Sequence, residues 1–109
     1  MKRIDAIIPE KSLHTVNMAL RHAGVTGMTI FNTKGRGELT PEPMQLGGPA
    51  GFFIPAFAET ITIMILTNDN GVESIVKSLM DSAGAGKIIV TNVENLIDIR
   101  KNKKDEQAL

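Results

Sequence analysis

Residues Thr60-Ile61-Thr62-Ile63-Met64-Ile65-Leu66 form a run of β-branched and apolar side chains that reads as a strand. Val72, Ile75, Val76, Leu79 and Met80 follow at offsets of three, four, seven and eight, the spacing that lays one apolar stripe along an α-helix. Ser82-Ala83-Gly84-Ala85-Gly86 ends that helix, and Lys87 to Val93, built on Ile88-Ile89-Val90, reads as a further strand. The same unit recurs toward the N-terminus. Lys2 to Ile8 is rich in isoleucine and is closed by Pro9. Leu13, Val16, Leu20 and Ala23 then form a helical stripe stopped by Gly24, and Gly27 to Thr33 sets Met28, Ile30 and Phe31 among threonines in a β-type mixture. The order βαββαβ predicts an α+β, ferredoxin-like fold: an antiparallel sheet with two helices on one face. The strands carry apolar residues on both sides (Ile7 and Ile8; Ile65 and Leu66; Ile88, Ile89 and Val90), so the second face of the sheet needs a cover. A domain this small buries a limited fraction of its surface alone. Packing of sheet against sheet in a homo-oligomer is the expected solution.

Composition bounds the function. The 109 residues suit a single domain, 1–109, and 42% hydrophobic with 22% charged residues supports a packed core. There is no cysteine, which excludes disulfides, thiolate metal sites and cysteine nucleophiles. Twelve basic and twelve acidic side chains cancel, which argues against a nucleic-acid binder relying on bulk charge. Met1-Lys2-Arg3-Ile4-Asp5 reaches an acid after one apolar residue and does not read as a signal peptide. No apolar run approaches the roughly 18–20 residues of a membrane span. The expectation is a soluble, cytoplasmic protein without direct membrane insertion.

Three segments could carry function. Residues 34–58 hold Gly35, Gly37, Gly47, Gly48 and Gly51 with Pro41, Pro43, Pro49 and Pro55, a composition expected to resist regular structure. This long loop nonetheless contains Met44, Leu46, Phe52, Phe53, Ile54 and Phe57, and no lysine or arginine lies between Glu38 and Glu59. It reads either as a loop folded back on the core or oligomer, or as an apolar docking finger for a partner protein. Lys34-Gly35-Arg36-Gly37 and Gly84-Ala85-Gly86-Lys87 pair glycines with cations, which suits backbone N–H groups approaching an anion, although taken alone each is a weak signal and a plain turn is the favoured reading. The second is not a P-loop, because Asp81 and Ile88 stand where that motif needs Gly and Ser or Thr, and because Lys87 leads into a strand. The basic residues Arg100, Lys101, Lys103 and Lys104 read by default as a solvated, fraying tail, with the backbone of Arg100 tied down by the preceding Leu96-Ile97-Asp98-Ile99. His14 and His22 sit eight residues apart on one helix, about 12 Å along its axis, too far to share a metal. Neither forms a nucleophile–base pair with Ser12 or Ser82, so no catalytic residue and no metal site is expected.

With these residues in view, the chain resembles the P-II signalling family from Met1 to about Arg100. The likeness rests on Lys2-Arg3-Ile4-Asp5-Ala6-Ile7-Ile8-Pro9, on Gly27-Met28-Thr29 followed by Lys34-Gly35-Arg36-Gly37, on Gly84-Ala85-Gly86-Lys87-Ile88-Ile89-Val90, and on Val93-Glu94 with Ile99-Arg100. The resemblance implies a homotrimer that binds an adenine nucleotide between subunits. Thr29 and Gly35, Arg36, Gly37 and Glu38 would line the adenine and ribose side. Gly84, Ala85, Gly86 and Lys87 (the B-loop, 82–87) would cradle the phosphates, and Arg100, in the C-terminal segment 94–109, would reach in from a neighbouring chain. Segment 34–58 becomes the partner-docking T-loop, whose shape reports the bound nucleotide. The ligand would be ATP, ADP, AMP or a cyclic nucleotide, with Mg as a companion ion, and the partner a membrane transporter that recruits the protein to the membrane.

Departures from the family pattern carry their own expectations. The nitrogen-sensing members have a glutamine after the Gly37 position, where Glu38 and Leu39 stand, and a lysine at the loop's return, where Ile61 and Thr62 stand. The tyrosine that some members modify is absent, the Gly84–Lys87 segment is shorter than usual, and Asp98 replaces the first of two C-terminal arginines. These changes imply that 2-oxoglutarate sensing is lost and that preference shifts away from the most anionic nucleotide. The alternative of another class is a trimeric divalent-metal-tolerance or small-ligand-binding protein of the same fold. Weak nucleotide hydrolysis at the subunit cleft is a third, for which no general base is apparent.

Overall fold

The computed structural model of the chain describes residues 1–48 and 51–109. Pro49 and Ala50, which the sequence assigns to the long loop, lie outside the described residues. The elements are β1 (Lys2–Pro9), α1 (Leu13–His22), β2 (Thr29–Gly35), β3 (Met44–Gln45), β4 (Phe52–Phe53), β5 (Ala58–Thr67), α2 (Val72–Ala83), β6 (Lys87–Asn92), β7 (Ile97–Asp98) and β8 (Lys103–Lys104). The main sheet runs β2-β5-β1-β6, and every pairing in it is antiparallel. This is the expected α+β, ferredoxin-like arrangement.

Alternation along β1 sets the layers. Ile4, Ala6 and Ile8 are buried and pair with Ile65, Ile63 and Ile61 of β5, all within one core cluster. Val16 and Leu20 of α1, with Ile75 and Leu79 of α2, close that cluster from above, so both helices share one face of the sheet. The small Ala6 opposite Ile63 keeps the layer thin where the helices cross the middle strands. Ser12 Oγ donates to the carbonyl of Ala83 at 2.8 Å, tying the start of α1 to the end of α2. The end of α1 is a left-handed stop: Gly24 has φ +88°, and Val25 N–H returns to Leu20 O at 3.0 Å while Gly24 N–H returns to Arg21 O. Before α2, the Asn68 side chain accepts from Gly71 N–H at 2.9 Å. The chain's amino group donates to Asp69 at 2.9 Å; that hydrogen bond, and then its charge, hold the Asp69 carboxyl below the usual range.

The other face of the sheet is mixed. Apolar residues do lie on both sides, but Ile7, Met64, Leu66 and Ile89 alternate with Arg3, Asp5, Thr60 and Thr62 along the registers. Arg3 and Asp5 pair at 2.9 Å, and Thr33 Oγ1 lies 2.7 Å from Thr60 Oγ1 and 3.0 Å from Thr62 Oγ1. Such a face suits a cover that offers polar partners as well as apolar area.

Three details correct the sequence reading. Met80, counted in the apolar stripe of α2, is 71% exposed, because Leu79 takes the core-facing position beside it. The long loop does contain regular structure: Met44 pairs with Phe53 and Gln45 with Phe52, and Leu46 N–H donates to Gly51 O at 2.9 Å. The charged tail is ordered too. Ile97 and Asp98 pair with Lys104 and Lys103, Asp105 N–H returns to Leu96 O, and Leu96 N–H donates to the Asp105 carboxylate. Charge alone does not fray a segment whose backbone donors find partners.

Two substitutions test this packing by chemical denaturation. Leu79→Ala should cost about 2–5 kcal/mol, the range for emptying a fully buried leucine site. Met80→Ala should fall within about 0.5 kcal/mol, as exposed sites do. Gly86→Ala should also destabilise strongly, because a Cβ there would lie 2.0 Å from the Ile7 carbonyl oxygen on a backbone held at φ +124°. A melting curve unchanged by that substitution would disprove the close approach.

Candidate nucleotide and partner site

The two glycine-and-cation clusters lie on opposite edges of the main sheet, since β2 and β6 are its outer strands. They meet through the loops that leave those strands. Lys34, Glu38 and Glu59 from the base of the long loop, Pro9 to Ser12 after β1, and Ala83 to Ala85 after α2 line one open groove of about 1060 Å³. Phe53, Pro55 and Phe57 form its apolar wall. Three ion pairs ring it: Lys34–Glu59 at 3.4 Å, Lys11–Glu42 at 3.4 Å and Lys87–Glu38 at 3.8 Å. All six side chains are exposed, so each pair is weak and readily screened by salt.

Each residue singled out from the sequence has a definite place. Gly35 ends β2 opposite Ala58, and Arg36, Gly37 and Glu38 follow it as exposed loop. Gly84 terminates α2 at φ +79°, Ala85 is exposed, and Gly86 is pressed against the Ile7 carbonyl. Lys87 opens β6 opposite Ile7 with its ammonium 3.8 Å from Glu38. Thr29 does not join them within one protomer. It begins β2 opposite Met64 and lines a separate cavity of about 480 Å³ with Met28, Leu96 and Leu109. Gly35 lies six positions further along the strand, about 20 Å at strand rise. Arg100 lies in the exposed turn between β7 and β8; there Asp98 accepts from Lys101 N–H at 2.8 Å, so the carboxylate at 98 shapes the turn that carries Arg100. Exposed Ile97 and Ile99, the latter 97% exposed, flank Asp98.

The large apolar residues singled out in the loop are displayed. Met44, Leu46, Phe52, Phe53, Ile54 and Phe57 are each exposed, Phe52 at 71%. Sequence reasoning missed the ring of ion pairs, because no spacing along the chain announces that Lys11 meets Glu42 or that Lys87 meets Glu38. It also missed the Thr33–Thr60–Thr62 hydroxyl cluster, although the alternation of threonine and isoleucine from Thr60 to Ile63 was the signal that could have found it. Among the described residues no group of three or more His, Cys, Asp and Glu could hold a metal ion, and no helix is long and apolar enough to cross a membrane.

Comparison with known proteins agrees with this arrangement along the whole chain. A family model described as nitrogen regulatory protein P-II matches residues 1–103. The chain is 31% identical over 114 aligned positions to the nitrogen regulatory protein P-II of Nostoc punctiforme and 33% identical to that of Klebsiella oxytoca. It is 33% identical to nitrogen regulatory protein P-II 1 of Escherichia coli K12, and each of these alignments covers 100% of both chains. With a four-stranded antiparallel sheet, two helices on one face and a long loop between β2 and β5, this chain belongs to the P-II nitrogen regulatory family.

Proposed function

We propose that this protein is a trimeric, non-enzymatic regulator that binds an adenine nucleotide between subunits and signals to a partner protein through residues 34–58. The observation that carries the reading is the shared groove: Gly84 and Ala85 line the same space as Lys34 and Glu38 at the base of the long loop, and Glu38 pairs with Lys87 at 3.8 Å, so a phosphate held at the glycine turn alters the surroundings of the loop base. Gly84, Ala85 and Gly86 would present backbone N–H groups, and Lys87 the countercharge. Arg36, Gly37 and Glu38 would border the ligand from the loop side.

Thr29 lies too far from this groove to serve the same nucleotide in one protomer, and Arg100 stands on an exposed hairpin. Both positions therefore suit a site completed by a neighbouring copy, as does a sheet face that carries apolar residues without an intramolecular cover. The adenylate class is ATP, ADP, AMP or a cyclic nucleotide, with Mg as a companion where the phosphate chain is long. Glu38 and Asp98 place negative charge where the nitrogen-sensing pattern has an amide and a cation, so the most anionic ligand is disfavoured and 2-oxoglutarate is not sensed. The loop's apolar display suits a hydrophobic vestibule on a membrane transporter, which would bring this protein to the membrane without inserting it. Nucleotide binding shifts the population of loop conformations, and with it the affinity for that partner.

Sedimentation should give three copies per particle, and a monomer would overturn the subunit-seam site. Lys87→Ala should erase the thermal shift produced by ADP while leaving the trimer intact. Deleting residues 47–56 should abolish capture of the transporter with nucleotide affinity near normal. Calorimetry should detect no binding of 2-oxoglutarate in the presence of Mg–ATP; clear heat would refute the loss of that sensing.

A further inference from the structure

Lys87 is already engaged. Its ammonium lies 3.8 Å from Glu38 Oε1, and Glu38 belongs to the base of the long loop, just past the end of β2. At the same groove a second loop carboxylate, Glu42, meets Lys11 in the turn before α1, while Glu59 of β5 meets Lys34 of β2 across the sheet. Of the three lysines only Lys87 adjoins the glycine turn, where Gly86 is locked against the Ile7 carbonyl and gives the start of β6 little freedom to move. Glu38, by contrast, sits in exposed loop and can move away.

From this geometry we infer that Glu38 is a specificity-determining latch residue: its carboxylate occupies the Lys87 ammonium in the empty protein, and a ligand phosphate must displace it. This inference rests on the nucleotide reading above and adds to it a mechanism of selection and release. A carboxylate and a phosphate oxygen compete for the same cation, so binding the phosphate frees Glu38 and removes one of the two ion pairs that tie the loop to the body. The other, Lys11–Glu42, remains. Because the pair is exposed, the latch is weak enough for a ligand to open. The expelled carboxylate stays beside the phosphates and repels them, and the repulsion grows with phosphate charge. Glu38 therefore ranks adenylates in the order AMP, ADP, ATP by increasing penalty.

The test compares wild type with Glu38→Gln, an isosteric change at an exposed position. Calorimetry with AMP, ADP and ATP is combined with chymotrypsin cleavage in the loop, where Phe52 and Phe53 are exposed and no lysine or arginine lies between Glu38 and Glu59. The inference expects ADP to speed loop cleavage of wild type. It expects E38Q to be cleaved faster without ligand, to respond little to ADP, and to gain more affinity for ATP than for AMP, by about two- to fivefold, the size of an exposed ion pair. If wild type binds ADP but E38Q matches it in cleavage and in the ATP-to-AMP ratio, the latch is overturned and the nucleotide site stands. If neither protein gives heat with any adenylate, the nucleotide reading falls, and the competition at Lys87 falls with it.

Discussion

The pairing of β1 with two antiparallel neighbours is the constraint on which the rest of the structure depends. Its inward residues, Ile4, Ala6 and Ile8, meet β5 across three isoleucines and carry both helices above them. Its outward residue Ile7 pairs with Lys87, and the Ile7 carbonyl meets the backbone of Gly86 so closely that no side chain fits there. One short strand thus organises the hydrophobic layer and fixes the turn from which the candidate phosphate lysine projects. The next residues of the same strand end, Pro9 to Ser12, form the floor of the groove.

Rigidity and mobility are divided accordingly. Among the described residues the buried members of the core cluster come from β1, β5, α1 and α2, with Val25, Met28 and Ile88 partly buried against them, so most of the apolar contribution to stability lies between the middle of the sheet and the helices. The long loop adds a two-residue ladder and exposed ion pairs, both inexpensive to break. Under the proposed reading this contrast is useful: a frame that would hold the phosphate-side turn still, and a loop held to it by contacts that are easily broken. The exposed phenylalanines fit the same logic, since a surface kept for a partner must stay uncovered in the free protein.

The P-II assignment and the geometry reinforce each other at the two glycine clusters. Read singly, Lys34-Gly35-Arg36-Gly37 and Gly84-Ala85-Gly86-Lys87 are indistinguishable from turns. In three dimensions Lys34 of the first and Gly84 and Ala85 of the second line one groove, and Glu38, also in that lining, lies 3.8 Å from Lys87. Where this chain departs from the nitrogen-sensing pattern, the structure gives the departures local work. Glu38 holds a lysine, and Asp98 caps the turn that presents Arg100.

The linear order of residues by itself determined the βαββαβ order, the two helical stripes, the apolar residues on both sides of the strands and the existence of a long apolar loop. Each of these follows from periodicity, which is a local property: spacing of two or of three to four residues places side chains on one side of an element whatever it packs against. It overreached at Met80, where the stripe was wider than the core could cover, and at the C-terminal tail, where Leu96 and Asp105 pair across a turn that charge density had concealed. Only the tertiary structure decided that Glu38 would meet Lys87 and that the hydroxyl of Thr33 would meet those of Thr60 and Thr62 across β2 and β5. Those contacts join residues tens of positions apart, and their partners are chosen by strand order and register, which no local spacing encodes.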